Sequence, residues 1–189
     1  TCALPIYGTN WFSSFTIDKG SKEGIKKGMN VIAGSGLVGI VTDVGPNFAK
    51  VRSIIDDSSN VSSMVLTTKD NFNVGGSLKS MNQDKVLPFT ELRDEDDKVK
   101  VGDPVVTSYV SDQYQEGILI GYIASIEKNA NNLTKSGTIT PVVDFQHLRE
   151  VLVITTLKDT GEKELSSQKA SDTQTETQDN TETQKDRKS

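Results

Sequence analysis

The side chain best suited to acid–base work in this sequence is its single histidine, His147, in the run Asp144-Phe145-Gln146-His147-Leu148. A hydrolytic relay needs a nucleophile, a base and an orienting acid, and Ser108 and Asp144 are the candidates for the other two roles. The local pattern does not support it. The Gly-x-Ser-x-Gly elbow that presents a nucleophilic serine is absent, and Gly34-Ser35-Gly36 has a different spacing. His147 therefore reads as a turn histidine.

Other oxygen-rich or glycine-rich runs also lack the pattern their chemistry would need. Asp56-Asp57-Ser58-Ser59-Asn60 has neither the spaced ligands, the central glycine nor the closing glutamate of a calcium loop, so it reads as a turn capping its own backbone. Glu95-Asp96-Asp97 has no partner ligand in sequence and reads as a solvated loop. Residues 34–39 are glycine-rich, but no Lys-Ser/Thr or helix follows to cradle phosphate, and a hairpin turn is expected. Trp11 and Phe12 are read as packing against the first folded unit. No catalytic residue, metal ligand or cofactor is assigned.

The elements that must position these residues are short strands. Runs rich in β-branched residues, separated by turn residues, occupy 14–18, 30–33, 37–44, 48–55, 61–67, 86–92, 104–109, 118–126, 137–143 and 151–156. In Ala49-Lys50-Val51-Arg52-Ser53, small or apolar side chains alternate with charged ones, so one face is buried. Pro88 places the 86–92 strand on an edge. Helix is expected only as single turns at 21–25 and 145–148, and the stretch that carries Asp94 reads as a solvated loop.

A weak internal repeat orders these strands. Gly24-Ile25-Lys26-Lys27-Gly28-Met29-Asn30-Val31-Ile32, followed by Gly36-Leu37-Val38-Gly39, has a counterpart in Val99-Lys100-Val101-Gly102-Asp103-Pro104-Val105-Val106, followed by Gly117-Ile118-Leu119-Ile120-Gly121. Glycine supplies positive φ at a turn and marks a bulge or bend inside a strand. Gly20, Gly28, Gly36, Gly39, Gly117 and Gly121 are accordingly the turn or bulge glycines. The fold class is all-β, with two small barrels in tandem and a boundary near the polar residues 67–73.

Composition bounds the functions. A net charge of -5 without a basic stripe argues against nucleic acid as a partner; Lys19, Lys22, Lys26 and Lys27 are interrupted by Asp18 and Glu23 and form a solvated face. One cysteine, Cys2, excludes an intramolecular disulfide. No apolar run reaches the roughly 18 residues that span a bilayer. From Lys158 onward only Leu165 and Ala170 are apolar, so 158–189 is expected to be a disordered polar tail. The opening Thr-Cys-Ala-Leu-Pro-Ile resembles translated adapter sequence, so 1–6 is expected to be a non-native end, with 7–68 the first barrel, open to completion by later strands, and 69–157 the second.

The order of these pieces resembles the MreC family. The carriers are Asn10-Trp11-Phe12, Phe15-Thr16-Ile17-Asp18-Lys19-Gly20-Ser21, Gly24-Ile25-Lys26-Lys27-Gly28-Met29 and Gly36-Leu37-Val38-Gly39, then Val105-Val106-Thr107-Ser108, Gly117-Ile118-x-Ile120-Gly121 and Leu148-x-x-Val151-Leu152-Val153-Ile154. Tyr109 stands where the family has glycine, and Tyr114-Gln115 where it has Phe-Pro. The resemblance implies two six-stranded-type barrels outside the cell membrane, anchored by a single helix beyond this chain. It also implies a non-enzymatic scaffold of the cell-elongation complex that self-associates and binds MreD and a class B penicillin-binding transpeptidase, alongside RodA and MreB. Two other classes compete with it: a paired-barrel serine hydrolase using His147, and a generic wall-binding module.

Overall fold

A computed structural model describes the backbone of residues 3–7 and residues 13–94, 97–129 and 133–158 in full. Twelve strands follow one another: β1 (Ala3–Tyr7), β2 (Ser14–Ile17), β3 (Asn30–Ala33), β4 (Gly36–Val44), β5 (Ala49–Ser53), β6 (Asn60–Val65), β7 (Asn71–Gly75), β8 (Leu87–Leu92), β9 (Pro104–Thr107), β10 (Leu119–Lys128), β11 (Lys135–Pro141) and β12 (Glu150–Ile154). Among the described residues the helical pieces are a 3-10 turn, Ser21–Glu23, and a short helix α1, Leu78–Gln83. β5 shows why the pattern works: Ala49, Val51 and Ser53 are buried and Lys50 is exposed, as period-2 alternation requires.

The strand ladders close twice. Around one circuit the order is β4-β3-β12-β1-β2-β5, with β5 returning to β4; around the other it is β10-β9-β6-β7-β8-β11, with β11 returning to β10. A single parallel pairing, Leu119 with Gly36, joins β10 to β4, and both circuits belong to one compact unit, Thr1–Lys158. Closure leaves each strand two neighbours, which removes the exposed edges that invite unwanted pairing.

The two circuits are copies at the level of individual hydrogen bonds. Gly28 N–H donates to the Val41 carbonyl at 2.9 Å and Val41 N–H to Met29 at 2.9 Å; Gly102 donates to Ile123 at 2.8 Å and Ile123 to Asp103 at 3.0 Å. The closing ladders carry matching bulges, between Val41 and Asp43 in one circuit and between Ile123 and Ser125 in the other. Gly39 and Gly121 are equivalent, and a Cβ at either would lie 2.1 Å from a backbone oxygen, of Arg52 and of Thr140 respectively. That contact is why glycine recurs inside both strands. Of the remaining expected glycines, Gly28 and Gly117 have φ of 87° and 81°, while a Cβ at Gly20 or Gly36 would collide with Gly45 or with Val142 and Val143.

The pairing departs from the sequence reading in four places. β6 pairs with β7 and β9, so the change of circuit falls between β5 and β6, ahead of residues 67–73, while the first circuit is completed by a later strand, β12, as the sequence reading allowed. β7 and α1 occupy a stretch that reads as polar: β7 has only Phe72 and Val74 to signal a strand, both buried, and α1 is too short to show a helical period. β8 is an interior strand flanked by β7 and β11; the β7 ladder stops at Val74 and Phe89, one residue short of Pro88, whose missing N–H therefore breaks nothing there. Ala3–Tyr7 runs between β12 and β2 as β1, which leaves the origin of residues 1–6 untouched. Asp94 is buried and does not lie on a solvated loop. Cys2, Trp11, Phe12, Glu95, Asp96 and the tail from 159 lie outside the described residues.

Both interiors are aliphatic with phenylalanine: Phe15, Ile17, Val31 and Val51 in the first circuit, Phe72, Val74, Leu87, Phe89 and Ile139 in the second. Phe72 and Phe89 sit with ring centroids 5.1 Å apart at 59°, a tilted packing favoured by the ring quadrupoles.

Candidate partner-binding surface

The duplication makes equivalent surface positions directly comparable. In register across the first circuit run Ile154, Asn30, Ile40 and Arg52, on β12, β3, β4 and β5. The matching row on the second is Leu66, Pro104, Tyr122 and Thr140: Leu66 N–H donates to the Pro104 carbonyl at 2.9 Å, and Pro104 pairs with Tyr122, which pairs with Thr140.

One row is covered and the other is open. The connection between β9 and β10 folds over the first row, where the Asn30 side-chain amide donates to the Gln113 carbonyl at 2.9 Å and accepts from Gln115 N–H at 2.6 Å. Gln115 also reaches the Thr156 carbonyl at 3.1 Å, and Tyr114 is only 2% exposed. Burial pushes the Tyr114 phenol up to about 12, against the opposing pull of the Arg52 charge. On the second row Leu66 and Tyr122 are each 45% exposed, and Val101, in the turn leading into β9, is 64% exposed. Pro104 stands where its twin has Asn30, so no side-chain amide is present there to clamp a covering backbone.

A separate cavity of about 690 Å³ lies against β6, β7 and β8, lined by Ser62, Asn71, Asn73, Glu91, Arg93 and Ser108 among others. Asn73 donates to Glu91 at 3.2 Å, and the Ser108 hydroxyl donates to the Asn71 side-chain oxygen while accepting from Val110 N–H at 3.2 Å.

The residues singled out for chemistry do not converge. Ser108 is buried and engaged by Asn71 and Val110, whereas the exposed His147 ring meets the Asp144 carboxylate, Nδ1 to Oδ2 at 2.7 Å. His147 holds the Asp144 carboxyl below its usual range. Asp56 accepts from Ser58 N–H at 2.9 Å, and Asp57 accepts from Leu78 N–H at 2.8 Å, at the start of α1. Among the described residues no group of three His, Cys, Asp or Glu side chains is placed to hold a metal ion, and no helix is long and apolar enough to cross a membrane. Sequence reasoning missed the Asn30 clamp and the open row; the Asn30–Pro104 mismatch inside the repeat was the available signal.

It also missed an ion pair. Asp94 accepts from Lys135 Nζ at 2.7 Å, from Lys98 N–H at 2.9 Å and from Val99 N–H at 3.1 Å, tying the 94–99 loop to β11. Burial alone would raise the Asp94 carboxyl, but Lys135 and the two amides outweigh it and hold the group below its usual value. Lys135 also pairs with Asp97, which bonds Lys128 at 3.0 Å.

Two closed ladder circuits repeated within one twelve-stranded sheet define an all-β, barrel-type protein whose distinctive surface is a row of uncharged side chains. Residues 7–155 match the family described as Rod shape-determining protein MreC, barrel core, and the chain belongs to that family. It is 34% identical over 148 residues to the cell shape-determining protein MreC of Listeria monocytogenes, covering 77% of this chain and 49% of that protein. Against the Bacillus subtilis protein of the same description it is 28% identical over 152 residues, covering 77% and 52%. The chain thus spans about half the length of the curated relatives it matches.

Solved structures agree on the fold. MreC from Listeria monocytogenes superposes with a TM-score of 0.69 at 34% identity, covering 80% of this chain and 72% of that one. The major periplasmic domain from the cell shape-determining filament MreC gives 0.64 at 20% identity, covering 79% and 92%. A complex between penicillin-binding protein PBP2 and MreC from Helicobacter pylori gives 0.55 at 15% identity, covering 80% and 98%.

Proposed function

We propose that this chain is a non-enzymatic scaffold of the bacterial cell-elongation machinery, lying outside the cell membrane and joined to it by a helix beyond this chain. Its main partner is a class B penicillin-binding transpeptidase. MreD and further copies of the chain are additional partners, and RodA and MreB belong to the same complex. Binding favours an active conformation of the transpeptidase, a population shift that couples wall synthesis to the rest of the complex.

The observation that carries this reading is the open row on the second circuit, an uncharged surface of half-exposed Leu66 and Tyr122 on a closed, rigid frame. Family membership supports it, as does the existence of the Helicobacter pylori complex for a protein of the same fold. The periplasmic description of another relative supports the compartment.

The test is capture of the organism's own class B transpeptidase, as its extracytoplasmic part, by the immobilised chain, with an unrelated β-barrel as control. Specific capture is expected. Equal retention on both surfaces, or none on either, contradicts the scaffold reading.

A further inference from the structure

The cavity against β6, β7 and β8 carries charge that the fold does not use. Lys69, in the β6–β7 turn, and Arg93, just after β8, line it, and neither forms an ion pair with another described residue. Asp70 and Glu91 line it as well, so cations and carboxylates share one concave surface with the side-chain amides of Asn71 and Asn73. The backbone holds two of these charges under strain: φ is 65° at Lys69 and 64° at Glu91, in the left-handed region that residues with a Cβ avoid. At Glu91 the cause is a bulge. Lys135 pairs with Leu92 and Gly137 with Phe89, so Thr90 and Glu91 together oppose Ser136, and the extra residue turns the Glu91 carboxylate toward Asn73, which donates to it at 3.2 Å.

The lining selects among ligands. Phe72 is only 4% exposed and packs its ring on Phe89, so among the described residues the cavity offers no aromatic face to a base or a sugar ring. Val110 is its exposed apolar side chain, too little for the desolvated apolar core of a protein interface. A volume of about 690 Å³ suits a small molecule. What matches cations, carboxylates and amides together is a short peptide with a free carboxylate and a free amine. A guanidinium pairs a carboxylate through two parallel hydrogen bonds, the acids take the ammonium, and the amides serve the peptide groups between. We propose that this cavity binds the peptide stem of the cell wall, with Arg93 and Lys69 on its terminal carboxylate and Glu91 and Asp70 on its amine. The chemistry comes from the cavity's own residues; the wall as the source of the peptide rests on the extracytoplasmic scaffold reading above. A scaffold so equipped holds a wall peptide beside the transpeptidase that joins such peptides.

The experiment titrates the isotope-labelled whole chain with a synthetic stem peptide carrying a free side-chain amine and a free terminal carboxylate, following the Asn71 and Asn73 side-chain amide signals by NMR. Arg93→Gln and Glu91→Gln are the cavity variants, Lys79→Gln, exposed on α1, is the charge control, and thermal melts check folding. Wild type is expected to saturate and each cavity variant to bind about 10-fold more weakly. Amidating the peptide's carboxylate should weaken wild-type binding by a similar factor, and Lys79→Gln should stay within about 2-fold of wild type. Should Arg93→Gln, next to the buried Asp94, not fold, Lys69→Gln replaces it with the same expectation. Cavity variants that bind as tightly as wild type, or a wild type that gives no saturable shift, overturn the site; capture of the transpeptidase then leaves the scaffold reading standing. An all-L peptide with the same amine and carboxylate that binds as tightly as the stem, whose residues are partly of the D hand, overturns the wall as the source and assigns the cavity to a protein tail. Stem binding by a chain that fails to capture the transpeptidase keeps the site and removes the scaffold reading.

Discussion

Removing the Asp94 carboxylate is the sharpest perturbation of the second circuit. The Asp94 side chain is 1% exposed and that of Lys135 9%, so Asp94→Ala leaves a nearly buried ammonium whose remaining partner among the described residues is the exposed Asp97. Breaking one side of a buried pair costs about 3–5 kcal/mol, and two backbone amides, of Lys98 and Val99, lose their acceptor as well. For a unit of this size that corresponds to roughly 6–20 °C in Tm. Asp94→Asn keeps one acceptor and is expected to cost less. Adding Lys135→Met to Asp94→Asn removes the stranded charge, so the double variant is expected to be more stable than Asp94→Asn alone.

The pair also sets a pH signature. The folded Asp94 carboxyl lies below its unfolded value of about 3.9, so its stabilisation is present above that value and is lost as pH falls through the folded one. Lys135 is raised in the fold despite the opposing effect of burial, so its share is present below about 10.4 and is lost as pH rises through the folded value. Urea unfolding should show the wild-type advantage over Asp94→Ala flat from about pH 5 to 9 and shrinking in acid. An advantage under about 1 kcal/mol, or one unchanged down to pH 2, would refute this account.

Three further outcomes follow from the geometry. Gly39→Ala and Gly121→Ala each drive a methyl into a backbone oxygen of the closing strand and should cost about 3 kcal/mol or more, whereas Gly102→Ala, with open space around its Cβ, should cost only the positive φ, about 1–2 kcal/mol; denaturation midpoints separate the two cases. Asn30→Ala should release the covering segment, costing about 2–3 kcal/mol and speeding proteolysis within 111–116, and Asn30→Asp, which sets a buried carboxylate against the Gln113 carbonyl, should be at least as destabilising. His147→Ala removes one exposed contact and should shift stability by less than about 0.5 kcal/mol and leave transpeptidase capture unchanged.

Much of the fold was legible because closed small barrels write themselves in short alternating strands and recurrent glycines. Gly39 and Gly121, read as bulge or turn glycines, turn out to be equivalent positions pressed against the closing strand. The destination of β12 was not legible, because strand pairing over long separation leaves no local pattern. β7 escaped because Asn71, Asn73 and Gly75 dilute a strand whose two inward residues do all the burying. Asp94 read as loop surface since nothing in its own neighbourhood announces a lysine 41 residues away. The open row was hidden for the opposite reason: Leu66 and Tyr122 look like ordinary strand residues until their covered twins are known.

The most direct measurement replaces Tyr122, and separately Tyr109, with a photo-crosslinking phenylalanine analogue and irradiates each chain with the transpeptidase's extracytoplasmic part. Both side chains are exposed, but only Tyr122 lies on the open row. A transpeptidase adduct from position 122 and little or none from 109 is the predicted result. Adducts from 109 alone, with the complex formed, would contradict it.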